Sequence, residues 1–129
     1  MVDADTYQEQ AMRTAGDVRG PGLQHGLIVA ALGLTGEAGE VADLVKKHVA
    51  QGHPIEREKL LEEAGDIAWY LARLCATLDA RLGDVLQANI EKLWHRYPDG
   101  FSTEASLRRR DAATEPASAQ ALLAEEREA

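Results

Sequence analysis

Four acidic side chains, set in two short groups, are the residues of this chain best placed to do chemistry. Glu37 and Glu40 lie in GEAGE, and Glu63 and Asp66 lie in EEAGD. Three residues along an α-helix is about 300° of rotation, so the two carboxylates of a pair share one side of their helix. Two such pairs on facing helices bring four carboxylates around one small volume. Carboxylates that close repel each other, and burying them without partners is costly. The arrangement therefore makes physical sense chiefly around a hard divalent cation, which takes oxygen ligands. The plainer reading is that the acids decorate two exposed helix faces and pair along them, as Glu63 would with Lys59.

The helices that must carry these pairs can be read from apolar spacing. Leu27, Leu34, Val41 and Val45 mark one side of a helix running from Leu23 or Gln24 to about Ala50, with Glu37 at its edge and Glu40 just beyond. Gln51-Gly52-His53-Pro54 turns the chain. The next helix starts near Ile55 or Glu56 and reaches Leu78 or Asp79, with Leu60, Ala64, Ile67, Leu71, Leu74 and Leu78 as its stripe and Glu63 and Asp66 on the flank. Both pairs border a packing face, from which a side chain reaches a cleft between helices. Gly33, Gly36 and Gly39 cluster beside the first pair; close approach of another helix, a bend or space for a ligand would each account for them.

Around this hairpin the pattern gives two further helices. One is capped by Asp5 or Thr6 and extends to about Val18, where Arg19-Gly20-Pro21-Gly22 breaks it. The other runs from Gly83 or Asp84 to Tyr97 and is stopped by Pro98. Asn89, Lys92 and Arg96 follow one side of it at offsets of three and four, where they can meet phosphate oxygens, although a solvated face would carry the same pattern. The expected fold is all-α, an antiparallel four-helix-type bundle over residues 1–101. Residues 102–129 read as a flexible polar tail, with a short helix from about Ala117 to Arg127 as its one candidate element.

Composition narrows the function. An excess of 22 acidic over 14 basic residues argues against nonspecific binding to nucleic acid or anionic membranes, but not against a phosphorylated substrate held through cations. The single cysteine, Cys75, reads as core filler. The opening MVDADTYQEQ is polar and no apolar run would span a bilayer, so a soluble cytoplasmic protein is expected. About 100 helical residues with few aromatics make a modest core, which points to at least a dimer.

The Glu-x-x-Glu at 37–40 followed by Glu-x-x-Asp at 63–66 resembles the signature of the all-α nucleoside triphosphate pyrophosphohydrolases, the MazG-like family. Tyr7-Gln8-Glu9-Gln10-Ala11 and Lys92-Leu93-x-x-Arg96-Tyr97-Pro98-Asp99-Gly100-Phe101 are similar to its small stand-alone members, and the resemblance covers about Thr6 to Phe101. It implies a homodimer or homotetramer that uses Mg2+, or sometimes Mn2+, to convert a nucleoside triphosphate to the monophosphate and pyrophosphate. A deoxynucleotide or a modified nucleotide would be the substrate, in nucleotide-pool housekeeping. By position, Glu37, Glu40, Glu63 and Asp66 would hold the metal, and one of the glutamates or the adjacent Glu62 would orient the attacking water. Gly36 stands where the family often has a further glutamate, which leaves open which carboxylate acts as the base. Lys92, Asn89, Lys47, Arg96 and Tyr97 match the neighbourhood that contacts phosphates or the nucleotide.

Two alternatives stand beside this one: an enzyme like the related phosphoribosyl-ATP pyrophosphohydrolases, and a non-catalytic helical module that binds a protein partner through its tail. A carboxylate-bridged diiron bundle needs Glu-x-x-His, which neither His48 nor His53 provides.

Overall fold

A computed structural model describes residues 1–108, which contain five helices and no strand. They are α1 (Ala4–Met12), α2 (Leu23–Gln51), α3 (Arg57–Thr77), α4 (Leu82–Arg96) and α5 (Thr103–Arg108). None of them is long and apolar enough to cross a membrane. The described residues fall into two compact units, the first Met1–Leu78 and the second beginning at Asp79.

In the first unit α2 and α3 form an antiparallel hairpin. The register is one to one. Gly26 of α2 lies against Thr77 and Gly33 against Tyr70, so seven residues forward on α2 are answered by seven back on α3. Alanines 30 and 72 are fully buried and Cys75 nearly so, in keeping with its reading as core filler. At Gly33 the Tyr70 ring takes the space of a side chain, since a Cβ there would lie 2.0 Å from the ring. Close approach is therefore the reason for this glycine. Gly36 and Gly39 face open space instead.

The chain before α2 is bound to α3. Asp3, not Asp5 or Thr6, caps α1: its carboxylate accepts from the Thr6 amide and hydroxyl, both at 2.9 Å. The expected extension of this helix to Val18 is not realised. Thr14 donates its hydroxyl to the Ala11 carbonyl at 2.7 Å, which competes with helix continuation, and the following carbonyls serve α3 instead. Trp69 Nε1 donates to Ala11 O and to Thr14 Oγ1, and Arg73 donates to Ala15 O. Thr77, fully buried, sends its hydroxyl toward Val18 O, while Arg19 Nε donates to Thr77 O at 3.1 Å. Residues 13–19 are thus a strap along the last three turns of α3.

The hairpin ends as its sequence requires. Gly52 caps α2 in the left-handed region at φ 72°, and the His53 carbonyl lies 2.7 Å from His48 Nδ1. In the second unit Leu82 and Ala88 are buried on α4. The stretch read as a tail opens with α5, where the Ser102 hydroxyl accepts from the Ala105 amide at 3.1 Å. The expected helix from Ala117 to Arg127 lies outside the described residues.

Candidate active site

The hairpin register continues from Gly33 to the acids. Four residues on from Gly33 stands Glu37, and four back from Tyr70 stands Asp66. Glu37, Glu63 and Asp66 each offer a carboxylate oxygen, and the three oxygens lie within 4.8 Å of one another. Glu37 and Glu63 are half-buried and Asp66 is exposed, so the group borders the packing face and opens to solvent. Tyr70, filling the space at Gly33, forms a floor one helical turn away along both helices.

The trio is electrostatically strained. Burial pushes the Glu63 carboxyl above its ordinary value, followed by repulsion from Glu37, Glu40 and Asp66 and a hydrogen bond shared with Glu37. A proton on Glu63 would relieve the crowding, and so would a cation. Among the described residues no ammonium or guanidinium pairs with the trio; Lys59 bonds to Glu56, not to Glu63. A set of converging, mutually repelling oxygen donors fits a hard divalent cation.

A pH effect follows from this. With its folded-state value raised above 4.5, Glu63 holds more proton in the native chain than in the unfolded one just above that pH. Its contribution to stability is therefore complete below about pH 4.5 and is lost as pH rises through the raised value. Metal-free Glu63→Gln should melt higher than the wild type at neutral pH, and the advantage should vanish in acid. Thermal denaturation across pH 4–8 checks this; an equal offset at every pH would contradict it.

The remaining candidates stand as follows. Glu40 is exposed on α2 and close enough to repel Glu63, but it lies outside the converging trio; Glu62 is exposed on α3. Lys47 is bound at 2.6 Å to Asp43, which also holds Lys46 at 2.6 Å. These ammonium groups, Lys46 first, pull the Asp43 carboxyl down to about 2. In the second unit Asn89 is exposed and Lys92 half-buried on α4. Arg96 and Tyr97 line a cavity of about 310 Å3 with Pro98, Asp99, Phe101 and Arg108. The Tyr97 and Phe101 rings there are 5.7 Å apart between centroids.

Tyr7 opens the N-terminal stretch that resembles the small family members, but the sequence assigned it no role in the site. Its phenol is half-buried on α1, and burial, with the nearby Asp66 carboxylate, pushes its pKa up. Tyr7, Ala11 and Ala15 follow one another at a spacing of four, and nothing in that spacing gives Tyr7 a role that the alanines lack.

Part of this sequence recurs in known proteins. Over 79 residues the chain is 40% identical to a protein described as "Gene 37 protein" of Mycobacterium phage L5, a match covering 58% of this chain and 69% of that protein. No solved structure matches. Residues 28–101 match the model of the MazG nucleotide pyrophosphohydrolase domain, a span that holds both acidic motifs, and the chain belongs to that family.

Proposed function

We propose that this protein hydrolyses a nucleoside triphosphate, a deoxynucleotide or a modified nucleotide, to the monophosphate and pyrophosphate in a cation-dependent reaction. The observation that carries this reading is the convergence of Glu37, Glu63 and Asp66 within 4.8 Å, inside the span matched by the family. These three would hold magnesium, with manganese as a substitute, and Glu40 would add a fourth carboxylate. When bound, the ion supplies charge neutralisation on the leaving pyrophosphate and lowers the pKa of a coordinated water.

The chain's own groups do the rest. Water adds to phosphorus, the P–O bond between the α and β phosphoryl groups breaks, and the water's proton passes to a carboxylate, for which Glu62 is the candidate beside the trio. In the second unit, Lys92, Asn89, Arg96 and Tyr97 carry N–H and O–H donors of the kind that bind phosphate, in keeping with the family resemblance. Lys47 would bind phosphate only by leaving Asp43. Self-association is part of the proposal. Leu32 is 68% exposed and Val49 77% exposed, with Ile28, Val45, Leu61 and Leu71 also open, apolar side chains on the hairpin that a second copy of the chain would cover. We expect a cytoplasmic homodimer or homotetramer acting on the nucleotide pool.

The test is pyrophosphate release from a panel of standard, deoxy and damaged nucleoside triphosphates, with and without magnesium or manganese. Metal-dependent turnover of at least one is the expected result. A well-folded oligomer that releases no pyrophosphate from any of them would overturn it, and phosphoribosyl-ATP outperforming the panel would move the chain to the histidine-pathway chemistry.

A further inference from the structure

Tyr7 lies outside both acidic motifs, yet the fold carries it to them. The bonds between the N-terminal segment and α3 keep a nearly constant separation in sequence: Ala11 with Trp69, Ala15 with Arg73 and Arg19 with Thr77 are each 58 residues apart, and Val18 with Thr77 59. The segment therefore runs parallel to α3. Gln8 adds a longer tie in the same direction, its side-chain amide donating to the Ala72 carbonyl 64 residues on at 3.4 Å. One helical turn before Ala11 stands Tyr7, and one turn before Trp69 stands Asp66. The same register thus sets Tyr7 alongside Asp66, consistent with the carboxylate's influence on the phenol.

Among the described residues the Tyr7 hydroxyl has no hydrogen-bond partner, although neighbouring Thr6 and Gln8 both have theirs. It is a half-buried donor beside a set of acceptors that a cation would occupy. Once those carboxylates are engaged, the oxygens left for the phenol are those of the bound polyphosphate and of the ion's remaining water shell. The ring is held by α1, which Gln8 and Ala11 tie to α3, so the donor is positioned before substrate arrives.

We propose that Tyr7 is a substrate-contacting residue of the active site, its phenolic O–H donating to an oxygen of the metal-bound triphosphate next to Asp66. This rests on the reading of the trio as a nucleotide–metal site and adds to it a contact from the N-terminal helix. Losing one such hydrogen bond to a charged oxygen corresponds to a fall of roughly 10-fold to 100-fold in affinity or turnover.

The experiment compares wild type with Tyr7→Phe, which keeps the ring and removes the hydroxyl. Three quantities are read: pyrophosphate release on the best substrate of the panel, calorimetric binding of its non-hydrolysable α,β-imido analogue with magnesium, and thermal stability without ligand. The proposal expects kcat/KM and analogue affinity to fall by that factor while the metal-free melting temperature stays within about a degree. Equal kinetics and equal analogue binding would overturn it and leave the proposed function standing. A lower melting temperature with unchanged analogue binding would assign the hydroxyl a structural role and overturn it as well. Wild type without turnover or analogue binding would overturn the proposed function and this contact together.

Discussion

Glu63→Gln should cut magnesium-dependent pyrophosphate release by on the order of 100-fold or more, while helix content is retained. Among the carboxylates, Glu63 is central: Glu37, Glu40 and Asp66 all repel its charge. An amide in its place keeps the shape but loses the charge and one oxygen donor, which costs several kcal/mol wherever charge develops against a metal-bound phosphate. Glu37→Gln and Asp66→Asn should behave alike. Glu40→Gln should be milder, because that side chain is exposed and outside the converging trio. Steady-state kinetics at saturating magnesium separate these cases. Full activity in Glu63→Gln would remove the trio from the mechanism, and a Glu40→Gln loss larger than that of Glu63→Gln would reverse the ranking.

The second large effect is on folding. Gly26→Ala adds one methyl group, and the new carbon would sit 2.5 Å from the Val18 carbonyl oxygen, 2.8 Å from Thr77 Cγ2 and 3.0 Å from Arg19 Cα. Two of these three atoms are backbone, which cannot swing aside as a flexible side chain can. Helix propensity pulls the other way, since alanine is favoured over glycine by about 1 kcal/mol. The clash wins here: overpacking typically costs about 1–3 kcal/mol, and relieving it means lifting the strap that Arg19 and Thr77 hold. Chemical denaturation should show a net loss of up to about 2 kcal/mol. An unchanged or higher midpoint would mean that the strap gives way freely.

Much of the hairpin was legible because its signals are local. Gly52-His53-Pro54 and the two apolar stripes placed the ends of α2 and α3 within two residues of where they fall, and three of the four acids converge as spacing suggested. The N-terminal segment was not legible to the same degree. Tyr7, Ala11 and Ala15 keep helical spacing, but Ala15 belongs to a strap whose Ala15 and Val18 carbonyls accept from Arg73 and Thr77, residues 58 and 59 positions away. Periodicity has no access to such pairings. The same distance explains why nothing local in the sequence tied Tyr7 to the acids. The α5 turn was missed for a different reason: Ser102 followed by Thr103-Glu104 is a capping signal, outweighed in the reading by the polar composition around it.

The one-to-one register between α2 and α3 also bears on which changes of chain length the protein tolerates. Glu37 meets Asp66 only because both helices run unbroken from the acids to the turn, Glu37 to Gln51 on one arm and Arg57 to Asp66 on the other. A single residue inserted in either arm rotates everything beyond it by about 100° and slides it by 1.5 Å, turning one set of carboxylates away from the other. Residues 52–56 are under no such restriction. Extra residues there leave the phase of both helices untouched, and even a doubled loop costs only about 0.6 kcal/mol in closure entropy. Insertions and deletions are thus confined to this five-residue connection, the one part of the hairpin whose length can vary without retuning the site.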